Sequence, residues 1–279
     1  MLTFFTVLKP CVGRTALAQR QAVASWIEVA GAENVLLLGD EAGVGELSEA
    51  LGTRWLPEIA RNGHGTPLLH DAIAQARATT STPLLCFING DIVVDDRFAE
   101  TARIVADRLQ RFLLVGQCIN LDVPDALMTG TAPASTLVAL AKRSGTLRGH
   151  DFVDYFVFNR DLFTDVPPFA LGRAGFDNWL IWSARAAHAA VVNATQFQLP
   201  IHQNHAYDHL AGGVADAYRG EEAAENLRLA DGRLLTTLDS THLLTPTGIR
   251  IDLLGRLRLR RRILLAKIAI AGRLPRSAA

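Results

Sequence analysis

The sequence predicts an α/β fold: a mostly parallel central sheet with helices on both faces, followed by a basic amphipathic segment. Three observations lead there. The stretch Leu84-Leu85-Cys86-Phe87-Ile88-Asn89-Gly90-Asp91-Ile92-Val93 opens as a continuous apolar run and then meets a polar triplet. An apolar run of that length reads as a strand buried on both faces, as inside a parallel sheet. Strand and helix patterns alternate on either side of it, the βαβ order that builds such a sheet. The strands also leave through polar residues, at Lys9-Pro10, Gly39-Asp40 and Asn89-Gly90-Asp91. Right-handed crossovers gather those exits along one sheet edge, and open α/β sheets bind ligands at that edge.

The elements follow in order. Residues 2–8 are a first strand, ended by Lys9-Pro10 because proline cannot continue a ladder. Thr15 to Ala30 carries a helical period through Leu17, Val23, Trp26, Ile27 and Val29, with Gly31 as its C-cap. Residues 34–40 are a second buried strand. Glu46 to Leu51 is a short helix, Thr53 to Leu56 a weaker strand, and Pro67 starts another helix that leads to the central strand. Asp96 to Arg111 reads as a helix and residues 112–119 as a strand. Residues 122–147 are irregular apart from a helical stretch at Leu137 to Lys142, which reads as a lid or acceptor-side insert. Asp151 to Phe158 is an aromatic strand, Trp179 to Ala190 an apolar helix, Val191 to Thr195 a strand, and Glu221 to Leu229 a surface helix.

The totals exclude several classes. Of 279 residues, 49% are apolar and 20% charged, so the chain is globular rather than disordered. A formal net charge of zero gives no general pull toward nucleic acid. Cys11, Cys86 and Cys118 are scattered without a CxxC pair, which argues against a disulfide framework or zinc site and fits a reducing, cytoplasmic setting. The N-terminus lacks a basic n-region and no uncharged stretch is long enough to span a membrane, so neither a signal peptide nor a transmembrane helix is expected.

Several residues carry chemistry. Asp91 offers a hard anionic oxygen suited to Mg²⁺ or Mn²⁺. Gly90 lets a nucleotide approach the backbone, and Asn89 presents a carbonyl to a metal or a ribose. Asp177 stands in a glycine-rich turn, Gly172-Arg173-Ala174-Gly175-Phe176-Asp177-Asn178-Trp179. It reads either as a helix cap worth about 1 kcal/mol or as a general base aimed into a cleft. A helix N-terminus would favour its ionised form. Asp154 either contacts substrate or balances Arg160 or Arg173. Three of eight histidines, His202, His205 and His209, fall in one short run, and an imidazole from His202 or His205 could join Asp91 around one ion. On a strand, alternation sets His202 and Asn204 on one face, Gln203 and His205 on the other. From Ile249 onward leucines and arginines alternate, which reads as a segment lying on an anionic membrane surface, with a docking helix for a dimer partner or a nucleic-acid patch as the other readings.

The order of these features resembles the GT-A fold glycosyltransferases, family 2-like members of the nucleotide-diphospho-sugar transferases. Asn89-Gly90-Asp91 looks like a variant of their Asp-x-Asp motif, with Asn in the first place. The turn bearing Asp177 looks like their acceptor-side carboxylate, and His202 to His205 like their late metal-binding histidine. The resemblance implies a domain over 1–248, with a nucleotide-binding half at 1–120 and an acceptor half at 121–248, and a separate basic tail at 249–279. It implies transfer of a sugar from a nucleoside-diphosphate sugar to a hydroxyl of a glycan or lipid-linked acceptor, assisted by Mn²⁺ or Mg²⁺. Asp177 would be the base of an inverting reaction and Asp91 the anchor of the ion, with His202 or His205. Lys9, Asp40, Arg61, Asn89, Gly90 and Asp91 would contact the nucleotide sugar; Asp154, Arg173 and Asn178 would face the acceptor. The expected place is the cytoplasm, at the inner face of a membrane through the tail. Two other readings use the same sheet: a sugar nucleotidyltransferase, for which Lys9 to Arg14 has too few glycines, and a catalytically silent binding module.

Overall fold

The structure, a computed structural model, describes residues 1–205 and 213–261. β1 (Leu2–Val7), α1 (Gly13–Ala30), β2 (Val35–Leu38), α2 (Val44–Leu51), β3 (Arg54–Leu56), α3 (Leu69–Thr79) and β4 (Leu84–Ile88) alternate as the pattern predicts. β1 lies between β2 and β4, β3 pairs with β2, and all four run parallel. Their residues are apolar on both faces because both faces are covered. Phe4 packs on Trp26 and Phe98, while its neighbour Phe5 points the other way, onto Phe87 and Phe158.

The remainder departs from a plain βα repeat. β5 (Ile92–Val93), α4 (Phe98–Ala106), β6 (Phe112–Val115), β7 (Ile119–Leu121), α5 (Ala134–Ser144), β8 (Thr146–Leu147) and β9 (Tyr155–Asn159) come next. Then follow α6 (Phe176–Ala186), β10 (Ala190–Asn193), β11 (Ile201–Gln203), α7 (Val214–Arg219), α8 (Glu221–Ala230), β12 (His242–Thr245) and β13 (Gly248–Ile251). A last helix, α9, covers residues 253–261. The central sheet has the order β13-β12-β10-β6-β9-β4-β1-β2-β3, and β5-β11-β7-β8 form a smaller second sheet. β9 runs antiparallel to both β4 and β6, and β13 antiparallel to β12; the other central pairs are parallel.

Some expectations change in detail. The apolar run 112–119 is two strands in two sheets, because the chain turns at Gly116, where a side chain would collide with Tyr155 Oη. Residues 151–154 do not join the aromatic strand, which begins at Tyr155. In 122–147 the helix α5 buries Leu137 and Ala141, so that half of the insert is anchored to the core. α6 starts earlier than expected, at Phe176, after Gly175 takes φ 109°. The tail expected from residue 249 overlaps β13, whose Gly248 and Ile249 pair with Thr245 and Leu244. No helix among the described residues is long and apolar enough to cross a membrane.

Candidate active site

β1 and β4 are parallel neighbours in register Phe5 to Phe87. Continuing that register brings Lys9 level with Asp91, at the point where strand order reverses, the usual ligand crevice of such sheets. A cleft of about 1000 Å³ opens there, and Lys9, Asn89, Asp91, Asp154, Asp177 and His205 all line it. Its floor is fixed by backbone clamps. Gln19 bonds both the N–H and the carbonyl of Lys9. Gly90 has no room for a Cβ beside Leu8 and Gln19, so its missing side chain serves packing of the floor.

The turn after β4 and the end of β11 meet because β11 pairs antiparallel with β5, His202 opposite Ile92. Gln203 reinforces the junction through Asp91 O and Ala18 O. Asp91, His202 and His205 thereby bring one ligand atom each within 4.8 Å of one another. β11 ends at Gln203, and both imidazoles reach the cleft instead of alternating away from it. His205 Nε2 is 2.8 Å from Asp91 Oδ2 and His202 Nε2 is 4.0 Å from it. Lys9 Nζ stands 3.6 Å from the same oxygen and 3.0 Å from His205 Nε2. Burial works against charge on Asp91, but the two imidazoles and the Lys9 ammonium outweigh it and hold the carboxyl well below the usual range. Asp91 Oδ1 is buried with no hydrogen-bond partner. One carboxylate, one or two imidazoles and an unused buried oxygen fit a Mg²⁺ or Mn²⁺ ion that keeps open positions for phosphate and water. His209 lies outside the described residues.

The two histidines are not equivalent. Arg148 Nη1 is 2.9 Å from His202 Nδ1. A guanidinium only donates, so Nδ1 accepts and the proton of the neutral ring sits on Nε2. Burial is the main force that lowers the His202 pKa, which keeps that ring neutral. A protonated Nε2 has no lone pair for a metal; it is a donor toward Asp91 or toward an anionic ligand. Metal-binding imidazoles ordinarily donate from the other nitrogen. His205 Nε2 faces both an acceptor and an ammonium, so it carries no such restriction.

Arg148 is the residue that sequence reasoning missed. Its Nε lies 3.1 Å from Asp154 Oδ2, its Nη1 also donates to Asn120, and its guanidinium covers the Phe152 ring. Asp154 in turn accepts from Asn89 Nδ2 at 3.0 Å. Nothing around Arg148 in the sequence marks it; the link exists only because β8 and β9 bring the chain back across β4 and β7.

Asp177 is the second residue of α6, two places beyond the N-cap Gly175. It faces the cleft, yet its Oδ1 is shut off from solvent and has no hydrogen-bond partner. Burial pushes its carboxyl up to about 7, against the pull of backbone amides at the helix start, with Asp154 adding to the rise. The expectation that the helix terminus keeps this group ionised is thus corrected: desolvation exceeds the helix field.

The remaining candidates sit further out. Arg61 is paired with Asp40 and Glu41; Arg61 and Glu41 line the cleft and Asp40 does not. Arg173 Nε donates to Glu222 at 2.9 Å, a partner from α8 that the sequence did not single out. Asn178 bridges the carbonyls of Asp151 and Leu235.

No family model and no curated protein matches the chain. Solved structures do. A mycobacterial protein known from its crystal structure is 15% identical, with a TM-score of 0.50 over 84% of this chain and 74% of that one. Glucosyl-3-phosphoglycerate synthase from Mycobacterium tuberculosis, solved with Mg²⁺ and uridine diphosphate, is 15% identical, TM-score 0.49, over 84% and 79%. TarS of S. aureus is 8% identical, TM-score 0.44, over 73% and 58%. At these identities the likeness is one of fold. With the strand order, it gives the chain a GT-A, Rossmann-like fold.

Proposed function

We propose that the protein is a glycosyltransferase that moves a sugar from a nucleoside-diphosphate sugar to a hydroxyl of a glycan or lipid-linked acceptor. One observation carries this reading: a single cleft holds both a cluster of one carboxylate and two imidazoles with the donor set for a cation, where the turn after β4 meets the end of β11, and a carboxyl raised to about 7. Lys9 and the backbone of Asn89 to Asp91 would seat the diphosphate, with Arg61 at the margin toward the nucleoside. Asp91 and His205 would hold Mn²⁺ or Mg²⁺, which when bound neutralises the departing diphosphate. His202 Nε2–H adds a donor on the same side. Asp177 takes the acceptor's proton as its oxygen attacks the anomeric carbon, and the bond to the diphosphate breaks with its electron pair leaving on phosphate oxygen, an inverting displacement. Arg148 orients Asp154 and His202, while Arg173 and Asn178 hold the turn that presents Asp177. The basic segment beyond β13 would place the enzyme against the inner, anionic face of a membrane.

Turnover of a panel of nucleoside-diphosphate sugars, with and without Mn²⁺, tests the reading. Sugar transfer that Asp177→Asn abolishes while nucleotide binding persists supports it. Tight nucleotide binding with no turnover on any acceptor would instead indicate a silent binding module.

A further inference from the structure

A second cavity, about 300 Å³, lies at the C-terminal end of α6, the end away from Asp177, between that helix end and α9. Arg185, Arg256, Arg260, His188 and Thr241 line it, with Leu259 at its base. Among the described residues no carboxylate lines it. The two acids that act on Arg185, Asp239 and Asp252, are buried and already engaged. Asp252 accepts from the Ser240 hydroxyl at 2.6 Å and from Gly255 N–H at 2.8 Å. Asp239 accepts from Thr236 N–H at 3.0 Å. Three guanidiniums line one hollow that no described carboxylate lines, although Arg185 also donates to the Asp239 carbonyl and lies within reach of the Asp239 and Asp252 charges.

The geometry of α9 says which anion the hollow faces. Arg256, Leu259 and Arg260 line the hollow. At 100° per residue Leu253 falls on the same face of α9 as Arg260, about 20° away, with Leu254 and Leu257 further round the exposed side. Those three leucines are 68%, 65% and 58% exposed, and Ile251 beside them is 53% exposed. The chain from residue 253 onward has no Asp or Glu. Contiguous exposed apolar side chains edged by arginine are an interfacial arrangement: leucines enter the acyl boundary and guanidiniums meet phosphates.

We propose that this cavity is a binding site for the phosphate of an anionic lipid headgroup, engaged as Leu253, Leu254 and Leu257 enter the membrane surface. It rests on the membrane placement given above and adds a defined pocket to it. Arg185 and His188 belong to the α6 end of the site, so the contact bears on the far end of the helix that carries Asp177.

Sedimentation of the full chain with phosphatidylcholine vesicles, with and without phosphatidylglycerol, tests it. Binding is expected only with the anionic lipid. Arg256→Gln with Arg260→Gln should weaken it by about tenfold or more. Arg250→Gln with Arg258→Gln removes equal charge outside the cavity and should cost clearly less, and Leu253→Ser with Leu257→Ser should weaken vesicle binding as well. All six positions are surface sites, so transfer to a soluble acceptor should stay at the wild-type rate and report intact folding. Equal losses from the two arginine pairs would overturn the pocket while leaving general electrostatic docking in place. No binding by the wild-type chain would remove the membrane placement and the pocket with it. Inorganic phosphate stabilising the wild type but not Arg256→Gln/Arg260→Gln, with no vesicle binding, would overturn the lipid assignment in favour of a soluble phosphate ligand.

Discussion

Asp177 joins two opposed effects, a helix start that favours its charge and a desolvated carboxyl oxygen that disfavours it. Burial wins and sets the carboxyl near 7, so the folded protein holds a proton that the unfolded chain releases near the ordinary carboxylate pKa. Between those values stability falls as pH rises. Asp177→Asn should therefore match the wild type in Tm below about pH 4, exceed it increasingly toward pH 7 and exceed it by a constant margin above that, which a pH series of thermal melts measures. Activity should run the other way: wild-type kcat/KM rises through about pH 7 as the base ionises, and the Asn variant loses roughly 10²–10⁴-fold with nucleotide affinity kept. The histidines differ in the same manner, through their partners. His205→Ala should weaken Mn²⁺ binding by at least about tenfold, the scale of losing even an outer-shell partner, whereas His202→Ala should change it much less and raise KM for the donor. Manganese titration followed by electron spin resonance separates the two. Equal losses would show that Arg148 does not fix the His202 tautomer. Asp91 and the histidine run stood out in the sequence because hard and imidazole donors are distinctive; the difference between the two rings did not, since it depends on Arg148.

Among the elements, the strands β1, β2 and β4 could be read with little error because burial on both faces makes them continuous apolar runs. The second sheet was not legible. Its strands have only two or three residues each, too short for a period to show, and they pair with partners distant in sequence. α8 was read as a surface helix, and three of its residues do more than that. Asn226, 1% exposed, bonds both the N–H and the carbonyl of Ala170. Glu222 joins Arg173 to Asn62 and so ties the loop after β3 to the turn before α6. Ala223 is buried. Glu222→Gln keeps the shape and the bond to Asn62 but leaves the Arg173 charge without its carboxylate. It should lower stability by about 1–3 kcal/mol, read by urea unfolding, and slow transfer by loosening the turn that carries Asp177. Unchanged stability would mean that water replaces the carboxylate there.

At the scale of the molecule, a net charge of zero hides a chain whose cleft mixes six carboxylates with five basic side chains and whose last stretch, from residue 253, has no acid at all. Composition at residue 249 suggests a seam between domain and tail, yet the sheet does not end there. β13 is the last strand of the nine, Leu244 of β12 is 1% exposed beneath the hairpin, and Asp252 ties the strand's end to Ser240. Composition changes before structure does, because an edge strand tolerates exposed Arg250 and Ile251 while its backbone still pairs. A chain cut after Thr247 should therefore lose the β12–β13 ladder and the Ser240–Asp252 bond together. At about 0.5–1.5 kcal/mol per net hydrogen bond, the loss should reach a few kcal/mol, and β12 would become an open edge prone to association. A chain ending at Arg261 keeps every one of these contacts. A cut after Asp252 separates the two contributions, since it retains the hairpin but removes the helix whose Leu259 packs against the core. Differential scanning calorimetry of the three truncations with light scattering reads both effects. Equal melting of the form cut after Thr247 and the full chain would show that the hairpin is an ornament on an eight-stranded domain, and that the seam suggested by composition is the structural one.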